Sequence, residues 1–402
     1  MNMTERFLKY VAVGTNSNPK SPTCPSTPEQ KVLGAMLVED MKELGIKDAF
    51  MDEHGYVYGT VEGNVPEAPV VGFVAHMDTV IDMPCENIKP RFVEYQGGEI
   101  VVNEEKGYAF TPDAAHIGHT LIVTDGTTLL GGDDKAGIVE ILEMAKYFID
   151  HPEIKHGTIK IGFTPDEEIG RGADKFDVPG FGADVGYTVD GGSPAAVSYE
   201  NFNAAAAKVE VFGTNSHPGG AKGAMVNSLW LAMEFHNMLP VNEAPQFTEG
   251  YEGFAHLNGM SGNVEHTVME YIIRDHDKEI FQNRKARFEK IAAYMNEKYG
   301  PNAVKLTLTD SYYNMKEPVM EHPELIDIAY AAIEEAGYKP YASAARGGTD
   351  GARLSYMGLP CPNLGTGGGN AHSRYEYVSL QEMNDCYEIL KNIVLKYAEV
   401  KK

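Results

Sequence analysis

From Pro69 to Ala75 the chain reads Pro-Val-Val-Gly-Phe-Val-Ala, an almost unbroken apolar run. That is the pattern of a strand buried on both faces, as in a parallel sheet whose two sides are covered by helices. It constrains the fold more than any other segment. Thr158 to Phe163 and Val185 to Val189 repeat the signal. Between them, Lys135 to Asp150 carries Ile138, Ile141, Leu142, Ala145 and Phe148 at helical spacing. An earlier helix is predicted from Thr27-Pro28-Glu29-Gln30, with Thr27 as cap and Gln30 closing a capping box, and Gly45 ends it. Strands and helices alternate through the first two hundred residues, which defines an α/β class.

The middle of the chain obeys a different rule. Ala207, Val209 and Val211 alternate with Lys208 and Glu210, so this strand has one wet face. A helix is predicted from about Lys222 to Met238, strands near Phe254 to Met260 and Thr267 to Arg274, a helix from Asp277 to Tyr299, and a last strand through Val304, Leu306 and Leu308. The order is β-α-β-β-α-β, a ferredoxin-like unit. After about Asn314 the first pattern resumes, with helices near Pro323 to Ala336 and Leu380 to Ala398. The expected architecture is one α/β domain with a mostly parallel central sheet, residues 1–203 and 314–402, interrupted by an inserted domain, residues 204–313.

The 34 Lys and Arg against 58 Asp and Glu give a formal charge of −24. Such a surface repels phosphate backbones and anionic lipid, so neither nucleic acid nor membrane is an expected partner. No apolar run of about 20 residues is present. Cys24, Cys85, Cys361 and Cys386 are far apart, unlike a disulfide scaffold or a thiolate zinc site. The amino-terminal stretch, with Glu5, Arg6 and Lys9, lacks a signal peptide's apolar core, and a cytoplasmic protein is expected.

In open α/β sheets, ligands bind beyond the carboxyl ends of the strands. Those ends carry His76-Met77-Asp78, Asp166-Glu167-Glu168 and Asp190, while Asp133-Asp134-Lys135 opens a helix. Singly, each is ordinary: a structural His-x-Asp, a solvated turn, a helix cap. Together they bring imidazole and carboxylates, with no thiolate, to one rim, which suits zinc, manganese or cobalt in a hydrolytic site. Residues 76 and 78 share a strand face, so Asp78 can hold the His76 ring while His76 binds metal. Of Glu167 and Glu168, one can bind metal while the other handles a proton. The glycines from Gly365 to Gly369 do not complete a nucleotide-binding pattern, because Asn370 fills the last glycine place.

At these motifs the chain resembles the co-catalytic zinc peptidases, the group that includes aminoacylases, dipeptidases and glutamate carboxypeptidases. The matching stretches are Gly72 to Thr79, Thr120 to Gly137, Phe163 to Gly170, Tyr187 to Gly192, Ser216 to Gly219, Arg346 to Gly351 and Cys361 to Asn363. The stretch from Thr120 to Gly137 is similar to the aminotripeptidase branch in particular.

The resemblance implies two Zn2+ per subunit, with Co2+ or Mn2+ as substitutes. His76 and Asp190 would bind one ion, Glu168 and His372 the other, and Asp133 would bridge them. Asp78 would orient His76. Glu167 would be the general base as a hydroxide held by the zincs attacks the peptide carbonyl, releasing the N-terminal residue of a tripeptide. The inserted domain would be a lid and a homodimer contact, with His217 polarising the carbonyl. Arg274 and Arg346 either grip the peptide carboxylate or pair with Asp275, Asp277 or Asp350. The competing readings are a dipeptidase, aminoacylase or carboxypeptidase with the same centre, and, more remotely, a non-catalytic peptide-binding protein.

Overall fold

The computed structural model describes residues 1–401. It contains two compact units. One comprises Met1–Tyr199, Met315–Ser343 and Thr349–Lys402; the other comprises Glu200–Asn314 and Ala344–Gly348.

The first unit is built on β1 (Val71–His76), α1 (Gly132–Asp150), β2 (Ile159–Thr164) and β3 (Val185–Val189). β1 lies between β2 and β3 and runs parallel to both. These strands form the middle of an eight-stranded sheet. Phe50–Met51 and Val57–Val61 extend it beyond β2, and Asn363–Leu364, Ala196–Asn201 and Tyr341–Ala345 extend it beyond β3. Asn363–Leu364 is also parallel to β3, while Val57–Val61 pairs antiparallel with β2. The sheet is thus mixed, with a parallel centre.

All six residues of β1 are buried, as a doubly covered strand requires. On one face Phe73 stacks on Tyr187 at 5.9 Å between ring centres, beneath Ile138, Ile141, Leu142 and Phe148 of α1. On the other, Val74 packs with Tyr56, Tyr58, Phe176, Phe181 and Leu354. The register aligns His76 with Thr164, and Val74 with Thr188. The strand ends are therefore level, and whatever follows them shares one rim. Gly137 lets α1 meet this rim, since a Cβ there would lie 2.0 Å from the Val189 carbonyl oxygen.

The capping expected at the helix after Pro28 changes. The helix after Pro28 forms, Glu29–Leu44, without a side-chain cap. Gln30 spans a longer distance instead, its Nε2 donating to Asp166 Oδ1 at 2.7 Å as well as to Thr27 Oγ1 at 3.0 Å. All four cysteines are free thiols. Among the described residues, no helix is long and apolar enough to cross a membrane.

The second unit contains β4 (Asn203–Phe212), α2 (Ser228–Asn237), β5 (Phe254–Gly262), β6 (His266–Asp275), α3 (Lys278–Tyr299) and β7 (Val304–Tyr312). Its sheet order is β5-β6-β4-β7, antiparallel throughout, so the predicted β-α-β-β-α-β unit forms. Val209, Val211, Met269, Tyr271 and Ile273 meet Phe235, Phe281, Phe288 and Met295 in its core. The helix expected from Lys222 begins only at Ser228. Gly223 turns the chain at φ 74°, and Asn227 then caps the helix by accepting from Leu229 N at 3.0 Å.

Candidate metal centre

The level rim brings together all five residues expected as ligands. His76 ends β1, Asp190 follows β3, Asp133 opens α1, Glu168 follows β2, and His372 lies in a loop at φ 61°. His76 Nε2 is 3.0 Å from Asp133 Oδ1 and 3.5 Å from Asp190 Oδ1. His372 Nε2 is 3.2 Å from Asp133 Oδ2 and 3.0 Å from Glu168 Oε2. Two trios result, His76–Asp133–Asp190 and Asp133–Glu168–His372, each with donor atoms within 4.8 Å of one another. Asp133 lends one oxygen to each.

A ring nitrogen facing two carboxylate oxygens needs either a proton or a shared cation. His76 Nδ1 lies 3.0 Å from the Asp78 carbonyl oxygen, a bond that puts the proton on Nδ1 and leaves Nε2 as the ligand atom. Glu168 Oε1 is buried without a partner. An all-oxygen-and-nitrogen donor set with a spare buried lone pair fits two divalent cations.

The electrostatics describe a crowded acidic cluster. Burial disfavours charge on His76, but Asp190, Asp133 and Asp78 hold its proton affinity well above the usual imidazole range. His372 is pushed up to about 11 by its bonds to Asp133 and Glu168. Asp133, despite burial, is held far below the usual carboxylate range by the two imidazoles. Burial raises Asp190 to about 7, and burial followed by the Asp190 charge raises Glu167 well above its ordinary value. Glu167 is not in either trio, but Asp190, His76, Asp350 and Glu168 all act on its carboxyl.

Asp78 does more than face His76. Its Oδ1 accepts from Glu167 N at 2.9 Å and its Oδ2 from Glu168 N at 3.1 Å, so it sets the turn carrying both glutamates. Four further buried carboxylates, none of them given a role at the metal centre by the sequence, surround the site. Asp166, at φ 61°, accepts from Ser26 N at 2.7 Å and from Gln30. Asp134 Oδ2 accepts from His76 N at 3.1 Å. Asp350 accepts from Thr164 Oγ1 at 2.6 Å and is raised by burial to about 6. Glu376 accepts three backbone N–H groups at the entry to α1, while burial pushes its carboxyl up to about 7. Asp134 and Asp166 stood inside motifs already noticed; Glu376 gave no local signal beyond lying four residues after His372.

The remaining three expected residues lie in the second unit. His217 is exposed, and its Nδ1 accepts from Gly219 N at 3.2 Å. Arg274 donates through Nη1 to the carbonyls of Ile273 at 2.9 Å and Ala205 at 3.2 Å, and lies over the Tyr312 ring. Arg346 donates to the carbonyls of Gly250 at 2.6 Å and Glu252 at 3.0 Å and to Thr248 Oγ1 at 3.1 Å. The carboxylates weighed as partners have other bonds: Asp275 accepts from Arg284 Nε at 2.8 Å, and Asp277 caps α3 through Ile280 N.

A parallel-centred sheet whose carboxyl rim gathers imidazoles and carboxylates defines a metal-dependent hydrolase of the α/β class. The model of the peptidase family M20/M25/M40 matches residues 101–396, and the chain belongs to that family. It is 52% identical to a peptidase T of Geobacillus sp. (strain WCH70) over 397 residues, which is 97% of both chains. It is also 52% identical to a peptidase T of Clostridium perfringens (strain 13) over 402 residues, 98% of both. Among solved structures, it is similar to an aminopeptidase PepT from Bacillus cereus (TM-score 0.79, 21% identity, 98% of both chains covered). A tripeptidase from Staphylococcus aureus aligns with TM-score 0.80 at 22% identity, covering 99% of this chain and 98% of that one.

Proposed function

We propose that this chain is a metal-dependent aminopeptidase that releases the N-terminal residue of tripeptides. The observation that carries the reading is the pair of donor trios sharing Asp133 beside the half-buried Glu167. The name peptidase T, carried by relatives 52% identical along almost their whole length, supports the substrate class.

Two Zn2+ ions per chain are the proposed cofactors, with Co2+ or Mn2+ as substitutes. His76 and Asp190 would hold one, Glu168 and His372 the other, and Asp133 both. Ions held this way supply a water acidified to a pKa of about 7 and withdraw charge from the scissile carbonyl. Glu167 takes the proton of the attacking water and delivers it to the leaving amine. Its burial raises its proton affinity, which suits a base working near neutrality. Asp78 fixes the His76 tautomer and the Glu167–Glu168 turn. Residues 204–313 are proposed as the lid and as the surface of a homodimer. There, His217 donates to the carbonyl oxygen, and Arg274, with Arg346 from the segment Ala344–Gly348, receives the peptide carboxylate. A cytoplasmic location, in keeping with four free thiols, completes the reading.

A panel of di-, tri- and tetrapeptides, each with a free and an acetylated amino terminus, tests it. Free tripeptides are expected to be cleaved and acetylated ones refused, with activity lost to a chelator and restored by zinc. Preferred cleavage of acetylated substrates would mark an aminoacylase or carboxypeptidase instead. Full activity in metal-free protein would overturn the mechanism.

A further inference from the structure

His372 poses a problem of placement. It is half-exposed, in a loop, and its ring meets only Asp133 and Glu168. Asp133 belongs to a segment some 240 residues earlier, and at the start of α1 both Asp133 and Asp134 leave helical angles. The hairpin carrying His372 pairs Gly368–Gly369 with Tyr377–Val378 and, through Val378–Ser379, with Leu121–Ile122, but that ladder stops short of Asp133.

Glu376 joins them. It lies four residues after His372 and is 4% exposed. Its Oε2 accepts from Leu130 N at 2.7 Å and Gly131 N at 2.9 Å, and its Oε1 from Asp133 N at 2.9 Å. N–H groups at a helix entry have no partner within the helix, and a carboxylate there also meets the positive end of the helix dipole. Gly131 adopts φ 78°, and its N–H and that of Leu130 reach the same carboxylate oxygen. On the other side, the turn from His372 to Glu376 is closed by Ser373 Oγ donating to Asn370 O at 2.7 Å and Glu376 N donating to Ser373 O at 3.2 Å. One side chain therefore ties the backbone of the Asp133 turn to the turn carrying His372.

We propose that Glu376 is a positioning residue for the metal pair: it holds Asp133 and His372 in the relative placement that the Asp133–Glu168–His372 trio needs before any ion arrives. The proposal rests on the two-metal reading above. Groups that orient ligands without touching the ion typically contribute about 10–100-fold in metal affinity. The loss should be asymmetric. Glu376 ties two of the three ligands of the second trio, Asp133 and His372, but only Asp133 of the first, whose His76 and Asp190 are placed by β1 and β3.

The test is calorimetric titration of the full, metal-stripped chain with Zn2+ alone, parent against Glu376→Gln. Glutamine keeps the size but turns an NH2 toward N–H donors that need an acceptor. The parent is expected to take two equivalents. The folded variant should take the first with an affinity near the parent's and the second about 10–100-fold more weakly. If Glu376 only caps α1, the melting temperature falls and both binding steps stay parental, which overturns the proposal. Should Glu376→Gln fail to fold, Glu376→Asp keeps the charge but is one methylene short, and parental binding of both equivalents there overturns it equally. A parent that binds no zinc would instead sink the two-metal reading, and the role of Glu376 with it.

Discussion

Two carboxylates on α1 show what burial alone does and what partners add. Asp133, at the helix entry, lies between His76 and His372 and stays ionised despite its surroundings. Glu140, two turns further along, is fully buried, and neither of its side-chain oxygens has a partner. Burial drives its carboxyl well above the usual range with nothing to offset it. The same helix thus carries a charged group built into a site and a neutral one stranded in a core. A buried carboxylate marks chemistry only when opposite charge or a cation is arranged around it.

Glu167 gives the largest expected effect and the strongest test of the rim side of this contrast. Glu167→Gln keeps shape and removes basicity. Since a placed base is worth about 10²–10⁴-fold, kcat should fall by that factor while zinc content stays near parental. A variant retaining more than about a tenth of parental kcat would show that Glu167, though half-buried and acted on by Asp190, is not the base.

The rim was legible in the sequence because parallel strands announce themselves. The apolar run Val70 to Ala75 fixed where β1 would end, and strand periodicity then put His76 and Asp78 on one face. The same logic reached Glu167, Glu168 and Asp190 from β2 and β3. His372 did not follow from any such rule; it was one of 13 histidines, set in an irregular loop, and only resemblance singled it out. Its position depends on contacts between distant segments, and Glu376 was missed for the same reason. Gln30 shows the converse error. A local capping rule was applied to it, while the folded chain offered Asp166, 136 residues away, as a partner. The helix read from about Lys222 starts late because Gly223 turns the chain, at φ 74°, ahead of the cap at Asn227.

His217 extends the comparison to imidazoles. His76 is buried among three carboxylates, whereas His217 is exposed and bonded only to Gly219 N within its own turn. Its surroundings in the second unit describe a turn residue, and its proposed work depends on substrate. If it donates to the developing oxyanion, His217→Ala should cost about 10²–10³ in kcat with zinc binding intact. If it only shapes the turn, the melting temperature drops slightly and kcat is parental. Kinetics and a melting curve on one variant separate the two, and the catalytic outcome is expected.

The smallest expected effect tests the stranded side of the contrast. For Glu140 the folded-state pKa lies above the unfolded one. At acid pH both states hold the proton and the group is neutral to stability. As pH rises through the unfolded value, the unfolded chain ionises while the folded one cannot, so folding loses about 1.4 kcal/mol per pH unit until the folded value is reached. Glu140→Gln removes this titration at nearly constant volume. Its stability relative to the parent should therefore be near zero at acid pH and should grow in the variant's favour as pH rises through the unfolded value toward neutrality. Cys386, packed nearby on the helix Leu380–Tyr397, is itself held protonated by burial and adds no opposing charge over this range. Urea melts of both proteins across that span give the difference directly, and the proton linkage of the metal ligands cancels because it is common to both. A pH-independent difference would mean that Glu140 finds a partner in the folded chain, and the contrast with Asp133 would then be one of degree.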